Sequence, residues 1–402
     1  MELTRREFIA ASAAIAALPA SQDDGFTVHE WGVVTIANGA NVAAGRTHGT
    51  SMVNGVEHDP GLPAFVTTWR KAVDDRIEQW KNEPVIVKKP VIHFYSKRKL
   101  QMTVKVSIPS GRPDAWWPAA AAFAPMVKLP NRIGEGRGEG VPDPPPIESV
   151  APRDGQLLWH NLLLDPDDAA DLRPAEGWWK IARTVPSTPV RGQKGTENFV
   201  FYDCIADFSP KAVIDWKKDG TVAITNESGE PFPVVMAIRV KKGACFHAAT
   251  RLAKGEAASL TPAKGEPDLA DVLVKAGLTK QESAAIVEIW RDEFFKTDGV
   301  RVLIVLSREV YDRLLPIEIT PKPAAMERVL IAQVECLDDD RVAAIKASID
   351  DLSSAEIEVR DAAAKKLRAL GPLAEPIIRA TAEKTTDAEV RARLTELLPK
   401  RK

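Results

Sequence analysis

Cysteine is scarce in this chain: Cys204, Cys245 and Cys336 are the three among 402 residues. Their wide spacing matches no Cys-x-x-Cys, haem-attachment or zinc-ribbon pattern, so a thiolate-held cluster has no support. At most one disulfide can form, and its pairing is not deducible. An excess of charge of either sign is also lacking. Lys+Arg number 54 against Asp+Glu 56, so no overall field draws the chain to nucleic acid or to acidic lipid. His-Glu-x-x-His, a Gly-x-Ser-x-Gly elbow and a Walker loop are absent. Gly134, Gly136, Gly138 and Gly140 alternate with charged residues, with no strand before them and no helix after, which argues against dinucleotide binding. A catalytic triad is not excluded, because triads are set by geometry and not by sequence order.

What the chain does have is turn-forming residues. Thirty prolines and 24 glycines accompany a 45% hydrophobic content, a composition that favours β-domains joined by many loops. At its start, Thr4-Arg5-Arg6-Glu7-Phe8-Ile9 resembles the twin-arginine export motif, and the resemblance implies Arg5 and Arg6 as the residues read by the twin-arginine export machinery. Ile9 to Leu18 is an Ala-rich apolar run too short to anchor in a bilayer. The expectation is a signal peptide over 1–24, an exported protein in the periplasm or beyond the cell, and no integral membrane span once the leader is removed.

The most legible stretch is Leu278 to Pro321. Thr279 precedes Glu282 by three residues, the capping-box spacing in which each side chain satisfies a backbone N–H of the first turn. Ala285, Ile286, Ile289, Trp290 and Phe294 then recur at helical spacing, and Asp298-Gly299 ends the pattern, giving a helix over 279–297. The apolar run from Val302 to Leu306 predicts a strand at 300–306 buried on both faces, which requires a layer on each side of it.

Strands are expected at Phe26–Ile36, at Val91–Tyr95 and at Leu100–Ile108, the last two as antiparallel neighbours joined by Ser96–Lys99. A helical pattern starts at Pro63. Asp219-Gly220 marks a hairpin of type I′. The Gly/Pro-rich stretch 131–150 reads as a linker or long loop between a β-rich domain at 25–130 and a second at 151–337. From Asp338 the chain turns Ala-rich and helical, and Ser354 to Ile377 resembles a HEAT-like repeat with Gly371-Pro372 at its inter-helix turn. The fold class is therefore α+β, mainly β, with antiparallel sandwich-like layers, a packed helix–strand unit and a helical tail over 338–402.

His29-Glu30-Trp31-Gly32, Pro90 to Tyr95, Glu197 to Tyr202 and Gly299 to Leu303 are similar to recurring motifs of an uncharacterised family of exported bacterial proteins, the likeness running from about Phe26 to Glu335. The resemblance implies an exported body and assigns no catalytic residue.

Candidate chemistry falls in three places. His29, His48, His58, His93 and His160 lie in the first 160 residues, and His29, His58 and His93, near Glu30, Glu57 and Asp59, are the candidate ligands for zinc. In a strand His29 and Glu30 point to opposite faces, and strand histidines commonly bond a backbone carbonyl instead. Trp116, Trp117, Trp178 and Trp179 offer flat indole faces for a glycan, or serve as plugs at the ends of a sandwich. Asp165 to Asp168 and Asp338 to Asp340 are acidic runs without the order of a calcium loop. The function expected is an exported, non-catalytic binding or assembly protein with a protein or glycan ligand. The alternative is a hydrolase, metal-assisted in its most concrete form, built near His29, His58 and His93.

Overall fold

The computed structural model describes residues 25–38, 62–68, 90–109, 111–124, 154–168, 172–206 and 208–398. The expected leader with Arg5 and Arg6, the 131–150 stretch, His48 and His58 lie outside these residues. The fold is α+β and mainly β, as the turn-rich composition and alternating runs predict.

Ten strands form the principal sheet: β1 (Thr27–Asn38), β2 (Thr67–Thr68), β3 (Val91–Tyr95), β5 (Gly111–Trp117), β10 (Val200–Ala206), β13 (Phe232–Lys241), β14 (Ala244–Leu252), β16 (Ala263–Lys264), β17 (Gly299–Val305) and β19 (Ala325–Cys336). Their order is β16-β14-β13-β17-β19-β1-β3-β10-β5-β2. A second sheet runs β18 (Ile317–Thr320), β4 (Leu100–Ile108), β7 (Gly155–Leu164), β8 (Val190–Gly192) and β9 (Gly195–Glu197), with β6 (Ala122–Ala124) paired to β7. A third holds β11 (Ala212–Trp216), β12 (Val222–Asn226) and β15 (Ala257–Leu260).

The central strand β17 is buried on both faces, as its unbroken apolar run demands. On one side Val300, Val302 and Ile304 join Val28, Phe94, Val104, Trp159 and Ile224 in a core shared by all three sheets. On the other side Leu303 and Val305 join Trp31, Val33 and Phe201 beneath three helices, α1 (Trp178–Ala182), α2 (Leu269–Lys275) and α3 (Lys280–Arg291). The capping box at Thr279 and Glu282 starts α3, and a π-helical turn at Asp292–Lys296 carries Phe294 and Phe295 into the core. Trp290 is buried and stacks on Phe294 with ring centroids 5.7 Å apart. Trp290→Ala is therefore expected to cost about 3–5 kcal/mol, read as a drop in the denaturant midpoint; an unchanged midpoint would contradict this packing.

Three local expectations need correction, and one pairing joins strands that no expectation linked. β3 and β4 are not neighbours: β3 lies in the principal sheet and β4 in the facing one, so Ser96–Lys99 crosses between layers. β1 and β19 run parallel, in register from Thr27↔Ala325 to Asn38↔Cys336, because nearly the whole body of the chain lies between them and serves as the crossover. Thr67–Thr68, within the helix expected from Pro63, form strand β2 against β5, where β-branched side chains fit the pleat. The Asp219-Gly220 hairpin exists, but only Gly220 of that pair has positive φ, at 84°, in a longer turn closed by the Lys217 N–H on the Thr221 carbonyl. The two-residue turn with positive φ at both positions is Lys242-Gly243, between β13 and β14.

The segments 25–130 and 151–337 also interleave. β3 of the first sits between β1 and β10, and β1 itself lies against β19 of the second, so the two share one sheet and one core. Alternation reports which face of a strand is buried and is silent on its partner.

After a short helix α4 (Arg308–Leu314), the chain ends its described course in α5 (Asp339–Asp351), α6 (Ile357–Leu370), α7 (Glu375–Lys384) and α8 (Ala388–Leu397). These four bury a cluster of their own that includes Ile345, Ile349, Leu367, Ile377, Ile378 and Leu394. Gly371, at φ 48°, turns the chain between α6 and α7. Asp338 caps α5 by accepting from the Arg341 N–H, and Lys241 reaches Asp340 at 2.5 Å, tying the tail's first turn to β13.

Candidate functional site

The richest polar cluster lies where β1, β3 and α3 meet. His29 and His93 are directly opposed across the β1–β3 pair, so both rings project to the helix-covered face of the principal sheet. Glu282, in the first turn of α3, is fully buried against them. Its Oε2 accepts from His29 Nδ1 at 2.9 Å and from the Thr279 backbone N–H at 2.7 Å, and its Oε1 accepts from the Tyr95 hydroxyl at 2.9 Å. Burial pushes the Glu282 pKa up, but the hydrogen bond and charge of His29 outweigh it and leave the carboxyl below its usual value. Burial first, and then the Glu282 charge, raises the Tyr95 pKa. An ionised carboxylate can only accept, so His29 Nδ1 is the donor of this pair.

His93 is completely buried. The Ser187 hydroxyl donates to the Asn198 carbonyl at 2.5 Å, so its oxygen accepts from His93 Nδ1 at 3.1 Å, which fixes the tautomer of the ring. Trp31 stacks on the ring with centroids 5.8 Å apart and Phe199 meets it edge-on at 5.6 Å. Nε2 has no hydrogen-bond partner. Burial holds the His93 pKa down at about 4, so the ring is neutral at pH 7.

Glu30, the neighbour of His29, faces the opposite side, as strand geometry requires. It accepts from the Tyr202 hydroxyl and from Arg328 Nε, both at 2.5 Å. Arg328 also bonds Asp312 at 2.6 Å and the Leu315 carbonyl at 2.7 Å, and lies 4.0 Å over the Tyr311 ring. A second buried pair joins Arg301 Nε to Glu335 at 2.6 Å, with Gln333 and Arg341 on the same carboxylate. Burial raises the Glu335 pKa, but the charges of Arg301 and Arg341 and the hydrogen bonds from Arg301 and Gln333 bring it below normal.

Of the expected ligands, His29 and His93 lie within the described residues. Among the described residues no three His, Cys, Asp or Glu side chains are placed to hold a metal ion. His29 and His93 do come together, but each commits its Nδ1 to a protein partner, and His58 lies outside the described residues. His247 instead bonds the Gly265 carbonyl at 2.9 Å, the structural role expected of strand histidines. Trp116, Trp117, Trp178 and Trp179 are all buried, so none presents a face to a glycan. Phe123 packs on Trp116, Phe65 on Trp117 and Phe201 on Trp178, while Trp179 donates its indole N–H to Glu197 at 2.7 Å. They are core plugs. The acidic runs are taken up as well: Asp165 pairs with Lys99 at 2.9 Å and Asp168 with Arg191, while Asp338 caps α5 and Asp340 pairs with Lys241 of β13. None of Cys204, Cys245 and Cys336 is in a disulfide.

Glu282, Tyr95 and Ser187 were not legible as site residues. For Glu282 a signal exists: it sits three and four positions before Ala285 and Ile286, so its carboxylate falls on the buried stripe of α3, where an acid needs a partner. No family model matches the chain, and no curated protein matches it.

Proposed function

We propose that this is an exported, non-catalytic binding or assembly protein. The observation that supports it best is how Glu282 is used: its oxygens are engaged by His29, Tyr95 and the Thr279 backbone, so the most reactive-looking cluster pins α3 to the sheet. A buried carboxylate held by three protein donors contributes to specificity of packing. The helical tail supplies a partner surface, with Lys365, Lys366 and Arg391 exposed on it. Chemical cross-linking of the full chain in its own compartment tests the reading: a stoichiometric protein partner linked through the tail is expected, and linkage through the β-body alone would overturn it.

One observation favours the hydrolase reading. A buried carboxylate on His29 Nδ1 is the orienting half of a general-base pair, which leaves Nε2 to take a proton from water. Its metal-assisted form needs a donor beyond His29 and His93. A panel of chromogenic esters, phosphoesters and glycosides separates the readings: the binding reading expects no turnover, and turnover abolished by His29→Ala installs the hydrolase.

Export is tested separately. Arg5→Lys with Arg6→Lys is expected to retain the precursor in the cytoplasm, because the guanidinium pair is the address read by the export receptor. Unchanged secretion, followed by cell fractionation, would remove the assignment.

A further inference from the structure

A cleft of about 230 Å³ opens between the segment 208–211, the turn 228–230 and α4. Phe232 and Leu306 form its buried floor, and Phe208, Val310 and Leu314 are its half-buried walls. Three charged side chains line the rim: Lys211, Arg313 and Glu230. Glu230 is already paired with Arg313 at 3.1 Å. Lys211 is exposed, and no carboxylate pairs with it among the described residues. The rim thus carries one cation in excess over an apolar trough.

That combination is complementary to one class of ligand. An apolar body gains by leaving water along the walls, while a single anionic head meets Lys211 and the N–H groups of Arg313 that Glu230 does not use, in charge-assisted hydrogen bonds. We propose that the cleft binds a small amphipathic monocarboxylate, with its chain along Phe208, Val310 and Leu314 and its carboxylate between Lys211 and Arg313. The volume lies below that of drug-sized pockets, which limits the occupant to on the order of ten non-hydrogen atoms. Lys211 is also held in the left-handed region, at φ 51°, by the Ser209 hydroxyl and the Glu227 N–H. A non-glycine residue there carries a strain that surrounding structure must maintain, and it fixes where the lysine stem leaves the backbone. This site goes beyond the binding reading above and is independent of what the helical tail holds.

The test uses the full chain with sodium octanoate as probe, followed by isothermal titration and ligand-observed NMR. Saturable binding at one site is expected. 1-Octanol, which has the same chain and no charge, should bind about tenfold more weakly, the factor that one charge-assisted contact contributes. The double variant Lys211→Gln/Arg313→Gln should lose a similar factor for octanoate and none for octanol. Both side chains are exposed, so the variant keeps its core, and an unchanged melting temperature verifies this. Absence of saturable octanoate binding overturns the site. Equal affinities for octanoate and octanol, or octanoate binding unchanged in the double variant, overturns the assignment of the anionic head.

Discussion

Arg328→Met is expected to destabilise the protein by about 3–5 kcal/mol, because it removes the only cation bonded to Glu30 among the described residues and leaves a buried carboxylate uncompensated. Glu30 and Arg328 are both fully screened from water by side-chain burial. Burial opposes the charge on Arg328, but the Glu30 carboxylate beside it outweighs that effect and raises its pKa. Taking two ions out of water is costly, and their mutual attraction offsets the cost only while the geometry stays intact. The Tyr202 hydroxyl alone cannot neutralise Glu30. The double variant Glu30→Gln/Arg328→Met removes both charges, and it should recover most of the loss, since an apolar replacement of a buried pair is often close to neutral. Equilibrium urea unfolding of the parent, the single variant and the double variant reads both numbers. A single variant within 1 kcal/mol of the parent would mean that water reaches Glu30 and that the pair is not the lock between β1 and β19 that its burial implies.

The legibility of these features in the sequence follows the range of the interactions. Local signals carried through: the Thr279–Glu282 capping box, the doubly buried strand read from Val302–Leu306 and the Gly371 turn depend on residues a few positions apart, and each is present, the strand ending one residue earlier at Val305. Long-range pairing did not. Nothing in Thr27–Asn38 announces a parallel partner some 300 positions away, because period-two alternation is the same for either direction of the neighbour. The site shows the same division. His29 and His93 stood out as residue types, yet their opposition across β1 and β3 follows from a register that sequence spacing does not encode. Ser187 and Tyr95 join them through loop and sheet geometry alone. The tryptophan pairs misled for a related reason: an indole face suits a sugar and a core equally well, and only the layer above decides.

Lowering the pH from 7 to 4 is expected to remove about 3 kcal/mol of stability through His93 alone. In the folded protein burial holds its pKa at about 4, against 6.5 for the ordinary side chain. Between these values the unfolded chain binds a proton that the folded chain refuses, so the unfolded state gains as pH falls. The sign is therefore fixed: the contribution is fully present above pH 6.5, declines through the interval below it and is spent near pH 4. Glu282 pulls the other way by favouring the imidazolium, and neighbouring His29 opposes it, but burial is the larger effect. The buried carboxylates leave the interval from pH 6.5 to 5 clear. Glu282 and Glu335 are both held below their ordinary value, so their stabilising charge is lost as pH falls through pKa values lower than 4.5. His93→Gln keeps a donor for the Ser187 oxygen and removes the titrating group, and its unfolding free energy should be nearly flat between pH 6.5 and 5 where that of the parent slopes. The check is a series of urea titrations at half-unit pH intervals on both proteins. Parallel slopes in that interval would place a proton on His93 in the folded state, and the neutral ring packed between Trp31 and Phe199 would have to be given up.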